Sequence, residues 1–312
     1  MPRPSISILL IVLLAGLLAG CALFDNGRYG LERDEPLTSH PSNCNGTFVL
    51  ASIGDFGSSG APEAAVAELV ASCEPDAVFT VGDNNYPDGE ASTIDENIGQ
   101  YYHQYIHPYQ GEYGAGASEN RFFPAMGNHD WDTGTPQPYL DYFALPGNER
   151  YYDFVRGPIH FFVLDSDARE PDGNTRDSVQ ADWLQENMDE NQAPWRLVVL
   201  HHPPYSSSLF RGENEALQWP YARWGASAIL GGHEHFYERG YVDGIPQFVV
   251  GLAGKWKGMN PIHRFDFQPI PGSQVRYNQD YGAMLVATNE QCINFSYFNR
   301  SAQLIDSYTM TQ

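Results

Sequence analysis

"SAILGGHEH", residues 227–235, sets an apolar run against two glycines and then places two imidazoles, His233 and His235, two positions apart. On a helix, side chains at i and i+2 point apart, whereas in an extended segment they share a face. The pair therefore converges on one point only from a strand end. Four other apolar runs end alike: "SIGD" at Asp55, "TVGDNNY" at Asp83 and Tyr86, "AMGNHD" at Asn128 and His129, and "VVLHH" at His201 and His202. In an open α/β sheet the residues just past the C-terminal strand ends line one shared crevice, where ligands sit. A glycine ahead of the polar residue lets the backbone turn sharply there. A single Gly-Asp after a strand reads as a turn; five such ends do not arise from turn chemistry alone.

Working outward, the runs "TFVLASI", "DAVFTV", "RFFPAM", "IHFFVLD", "WRLVVL" and "SAIL" alternate with helix-like segments at 61–72, 94–109 and 178–187. That alternation predicts an α/β domain with buried strands. Beyond Gly240 the pattern changes to strands and turns ("GIPQFVVGLAG", "GAMLVATN", "CINFSYF", "AQLIDSYTM"), which predicts a second sheet packed on the first. No composition break separates two folding units, so residues 46–312 read as one domain, long enough for a substantial core.

Acidic residues outnumber basic ones 39 to 17, for a formal charge of −22, and Lys255 and Lys257 are the only lysines. A nucleic-acid partner is excluded on that balance. The first stretch, "MPRPSISILLIVLLAGLLAGC", has the layout of a secretory signal. Leu18-Ala19-Gly20-Cys21 looks like the lipobox of bacterial lipoproteins, which implies lipid on Cys21 and an exported chain anchored to a bacterial membrane by that lipid alone, on a face left open. Residues 22–45 are polar and aperiodic, a tether. In an exported compartment a disulfide is permitted. Cys44 precedes a strand and Cys73 ends the helix after it, so a Cys44–Cys73 bridge is expected, with Cys292 a packed strand residue.

The strand ends bring Asp55, Asp83, Tyr86, Asn128, His202, His233 and His235. Oxygen and imidazole donors without thiolate suit zinc, iron or manganese. Seven groups are too many for one catalytic metal with an open position, whereas two metals roughly 3.5–4 Å apart sharing a carboxylate use them well. The ordered set D-x-G (55–57), G-D-x-x-Y (82–86), G-N-H-D (127–130), V-x-x-H (199–202) and G-H-x-H (232–235) resembles the calcineurin-like metallophosphoesterases, and within them the purple acid phosphatases. "GHEHFYER" is similar to the plant-type signature; the lack of an N-terminal accessory domain looks more like the short, tartrate-resistant type.

The resemblance implies an αββα sandwich, two packed mixed β-sheets flanked by helices. It implies ferric iron at Asp55, Asp83, Tyr86 and His235, and divalent zinc, manganese or iron at the shared Asp83 with Asn128, His202 and His233. Of the two adjacent histidines, alignment on the following proline selects His202. His129 is implied to face the leaving group and deliver a proton, a task suited to imidazole. The activity implied is hydrolysis of small phosphomonoesters by a water the metals acidify; phosphodiesters or nucleotides, and a tethered binding protein without turnover, stay open as alternatives. The plant-type enzymes carry further histidines after V-x-x-H. Here "HHPPYSSSLFRGENEALQW" has none, leaving Arg211 or the serines at 206–208 as candidate substrate contacts.

Overall fold

Each apolar run forms a strand whose alternate side chains serve two different cores, and that period of two builds the molecule. The computed structural model describes residues 48–209, 211–255 and 268–312. Its first sheet takes β1 (Phe48–Ile53), β2 (Ala77–Thr80), β3 (Phe122–Pro124), β11 (Gly282–Thr288), β12 (Cys292–Asn299) and β13 (Leu304–Thr311), in the order β13-β12-β11-β1-β2-β3. The second takes β4 (Tyr152–Arg156), β5 (Ile159–Val163), β6 (Trp195–Val199), β7 (Ala228–Gly231), β8 (Tyr237–Val242), β9 (Ile245–Val250) and β10 (Ser273–Tyr277), ordered β10-β8-β9-β7-β6-β5-β4. Both are mixed: β1, β2 and β3 run parallel, as do β5, β6, β7 and β9, while β11 joins β1 antiparallel and β4 joins β5 antiparallel.

Between the sheets lies one core, to which β2 sends Ala77 and Phe79, β5 Phe161 and Val163, and β6 Leu197 and Val199. Val78 faces the other way, onto the helix Ala61–Ser72 and a run of π-, α- and 3-10-helical turns from Asp95 to Tyr105. Val198 likewise packs outward against the helices Val179–Asp189 and Tyr221–Trp224. Four layers result, helices, sheet, sheet and helices, as the αββα expectation has it. Both faces of each central strand are buried, which is why these strands read as nearly continuous apolar runs.

The helix expected at 61–72 has those bounds, with Pro62 in its first turn, and the one expected at 178–187 runs Val179–Asp189 behind a Ser178 cap. The one expected at 94–109 ends at Tyr105. The strands after Gly240 do not form a sheet of their own. Instead β11, β12 and β13 extend the sheet that β1 begins, and β8, β9 and β10 extend that of β7, because each parallel unit ends on an edge that an antiparallel strand can pair.

Cys292 is buried at the start of β12 and, contrary to its reading as a packing residue, is disulfide-bonded, as is Cys73. The Cys44 end of the expected bridge, the lipobox with Cys21 and the tether lie outside the described residues. Among the described residues no helix is long and apolar enough to cross a membrane.

Candidate metal centre

The crevice foreseen from the strand ends spans both sheets. β1, β2 and β3 lead to Asp55, to Asp83 with Tyr86, and to Asn128 with His129; β6 and β7 lead to His201 and to His233 with His235. Backbone hydrogen bonds tie the turns together, Asp55 N to Gly82 O at 3.0 Å and Gly232 N to His201 O at 2.8 Å.

Two groups of donor atoms converge, and they meet in one carboxylate. On one side Asp83 Oδ2 accepts from the Tyr86 hydroxyl at 2.8 Å, and that hydroxyl lies 3.4 Å from Asp55 Oδ1 and 3.3 Å from His235 Nε2. His235 Nε2 is in turn 3.3 Å from Asp55 Oδ1. On the other side Asp83 Oδ1 lies 3.2 Å from His201 Nε2, which is 3.2 Å from Asn128 Oδ1 and 3.1 Å from His233 Nδ1. Asp83 thus turns one oxygen to each group.

The surroundings fix these atoms. His201 Nδ1 donates to Val81 O at 2.8 Å, which fixes the ring with Nε2 turned toward Asp83 and Asn128. Asp55 Oδ2 accepts from His233 N at 2.9 Å, and Asp83 Oδ1 from His129 N at 3.0 Å. Asp130 joins two of the turns by accepting from Asn84 N, Asn84 Nδ2 and Gly127 N. Asp55, Asp83 and His233 hold φ of +52°, +53° and +68°. Each such non-glycine residue costs on the order of 1–3 kcal/mol, and such strain clusters at functional sites. Gly82, at φ +93°, is needed for a second reason: a Cβ there would sit 2.5 Å from His201 Nδ1.

Electrostatics sort the groups. Burial pushes Asp55 up to about 7, helped by the neighbouring Asp83. Burial also opposes ionisation of Asp83, yet the His201 imidazole outweighs it and holds Asp83 well below the usual carboxylate range. His201 loses by burial but gains more from Asp83 and Asp55, and is pushed up to about 9. Burial lowers His202 and His235 to about 3 and carries His233 well below its ordinary value, so these three imidazoles are neutral. Tyr86 is raised well above a free phenol, first by burial and then by Asp83 and Asp55.

Sequence reasoning placed His202 where the structure places His201. His201, fully buried, stands between Asp83 and Asn128. His202 pairs its Nδ1 with Ser166 Oγ at 3.0 Å and stacks beside His233, ring centres 4.2 Å apart. Its lone pair still reaches the His201 and His233 nitrogens within 4.8 Å. The serines at 206–208 are buried rather than offered to substrate, with Ser207 bonded to Glu238. Arg211 is exposed, donates to His233 O at 2.8 Å, and lines a cavity of about 500 Å³ shared with His202, Asn214, His233 and Glu234.

His129 has its Nδ1 on Pro87 O and 3.4 Å from Asp132 Oδ2, while Nε2 is 3.9 Å from Asp83 Oδ2 and the side chain is partly open. Asp165, just past β5, accepts from Trp131 Nε1 in the 127–131 turn at 3.0 Å. Unforeseen were the roles of Asn84, Ser166 and Arg169, whose side chains brace the turns; Asn84 alone had a signal, its place inside the G-D-x-x-Y motif.

The donor set fits metal ions. Two carboxylates buried side by side, neutral imidazoles and a phenol raised by those carboxylates all call for added positive charge, and the atoms stand at the separations neighbouring ligands of one ion keep.

Comparison with known proteins agrees. In sequence the chain is 36% identical over 93 residues to an acid phosphatase of Aspergillus ficuum, a stretch covering 26% of this chain and 15% of that relative. In structure it is similar to the purple acid phosphatase PPD1 of yellow lupin (TM-score 0.66, 18% identity, 85% of this chain and 53% of that one). It is also similar to GAP50, the anchor in the inner membrane complex of Plasmodium (TM-score 0.64, 14% identity, 85% and 88%). The chain thus spans about half of the lupin protein and a small part of the fungal one. Residues 48–237, from the first strand to just past the last of the convergent turns, match the family model for the calcineurin-like phosphoesterases, and the chain belongs to that family.

Proposed function

We propose that the chain hydrolyses small phosphomonoesters at a two-metal centre. The observation that carries this reading is the divided Asp83 carboxylate, with Oδ2 toward Asp55, Tyr86 and His235 and Oδ1 toward His201. In this reading Asp55, Asp83, Tyr86 and His235 hold ferric iron, and Asp83, Asn128, His201 and His233 hold a divalent iron, zinc or manganese. His201 replaces His202 in the assignment. Two metals held there supply positive charge to phosphate oxygens and acidify water at ordinary pH.

The chain's own residues do the rest. In this reading Asn128 and Arg211 orient phosphate. His129, its Nδ1 occupied by Pro87 O, gives a proton from Nε2 to the departing oxygen. Positive charge held there would act at contact, inside the roughly 8–10 Å over which salt screens the acidic surface.

Metal analysis with a visible spectrum on natively purified protein tests the centre: about two ions per chain and a purple to pink band are expected. Far fewer than two ions in folded protein would return the chain to the class of binding proteins. Turnover of p-nitrophenyl phosphate over its bis ester supports the monoester assignment; the reverse order makes it a phosphodiesterase. The same proposal places the protein outside the cytoplasm, tethered by lipid on Cys21. Labelled fatty acid should enter the wild type and not Cys21→Ser, and equal labelling of both rules the anchor out.

A further inference from the structure

The segment that follows β5 crosses beneath the turn carrying Asn128 and His129, and Arg169 is its anchor. The guanidinium has five N–H donors, and each is engaged. Nε donates to Asp167 Oδ1 at 2.7 Å and Nη2 to Asp167 Oδ2 at 2.9 Å, a bidentate pair. Nη2 also donates to Asn128 O at 2.9 Å, and Nη1 to Trp131 O at 3.0 Å and to Asp132 Oδ1 at 3.1 Å. The other oxygen of Asp132 lies 3.4 Å from His129 Nδ1. The side chain is 39% exposed, yet these protein partners take all five donors.

From this geometry we infer that Arg169 is a positioning residue for the reaction, acting through the Asn128 carbonyl and through Asp132. It fixes where the Asn128 amide oxygen meets His201 Nε2, and it holds Asp132 against the imidazole of His129. Asp165 and Ser166 support the same register, the first through Trp131 Nε1 and the second by accepting from His202 N at 2.9 Å. Only a planar fork reaches two backbone carbonyls and two carboxylates at once; the three tetrahedral donors of lysine do not. The inference rests on the two-metal reading.

The test titrates metal-free protein with Mn²⁺ by calorimetry, for wild type, Arg169→Ala and Arg169→Lys, with circular dichroism as the check on folding. Wild type should take two ions. Arg169→Ala should keep one affinity and lose about 10- to 100-fold in the other, the usual effect of removing an outer partner of a ligand. Free guanidinium should restore part of that loss and methylammonium none, and kcat should fall further than KM moves. Arg169→Lys, which keeps the charge, should still show a weakened second site; it carries the test if the alanine variant does not fold. Two ions bound at wild-type affinity in Arg169→Ala, or a lysine variant equal to wild type, would overturn the inference alone. Fewer than two ions in natively purified wild type would overturn the two-metal reading and this inference with it.

Discussion

His201 and His202 are neighbours, and one residue step along a strand exchanges the face a side chain presents. In β6, Leu197 and Val199 enter the core between the sheets, whereas Val198, and Leu200 just past the strand, face the helices. Continued past the strand end, that alternation carries His201 inward to Asp83 and leaves His202 on the outer side with Ser166. The alternation decides between the two histidines only once the fold shows which face is inner, because β6 is buried on both sides and "WRLVVLHH" does not mark one from the other. The substitutions separate the two: His201→Ala should weaken one metal by more than about 100-fold, beyond the loss of an outer partner, while His202→Ala keeps both ions. Metal content after dialysis reads the result, and the opposite ranking would restore His202. At Tyr86 the phenol is held protonated by its surroundings until a strong cation displaces the proton. Tyr86→Phe should therefore bleach a visible band of the oxidised iron form while leaving the fold intact, and a band that survives makes Tyr86 a packing residue. The candidate ligands were readable because metals restrict donor types; Asn84, Ser166 and Arg169 were not, because a brace is defined by what it touches.

Among the elements, the helix Ala61–Ser72 begins on an unusual contact. Glu63, in its first turn, reaches back to accept from Ser58 N at 2.9 Å and Ser59 N at 2.8 Å, which docks the D-x-G turn onto the helix. Its other oxygen, Oε1, is buried with no hydrogen-bond partner among the described residues. Burial raises Glu63 well above the ordinary carboxyl value, more than the two bonds lower it. A raised acid favours the fold fully below its unfolded value, about 4.3, and that advantage is lost as pH rises through the folded value. Glu63→Gln should then gain on wild type above about pH 4.3, by up to about 1.4 kcal/mol per pH unit until the folded value is passed. Thermal scans from pH 4 upward check this; a constant difference would refute it. Strand and helix positions were largely legible from period alone. β8 was not, because "YERGYV" puts Glu238 and Arg239 where apolar residues would mark alternation. Glu238 takes Ser207 and Ser273, and Arg239 takes Asp306, contacts that the sequence does not announce.

For the whole molecule, a formal charge of −22 repels anions at long range, whereas metals held in the crevice would attract them at contact. Raising salt from low to physiological strength should increase kcat/KM for a dianionic ester severalfold and leave kcat nearly unchanged, since screening acts on encounter. Steady-state kinetics across ionic strength measure it, and a falling kcat/KM would mean that local attraction governs encounter instead. An α/β domain of buried strands was legible in the alternation of runs and the four layers in the family resemblance, but the assignment of the C-terminal strands to both sheets was not, since pairing partners far apart in sequence leave no local mark. That same plan has a bearing on how each molecule matures. The crevice draws on three strand ends of one sheet and two of the other, and the hydrogen bond from His233 to Asp55 joins residues 178 positions apart. A chain still emerging from the ribosome, or from a translocation pore, owns the first three turns long before the last two. In the two-metal proposal, a complete centre would then form late, after the sheets have docked, since His201, His233 and His235 are made last.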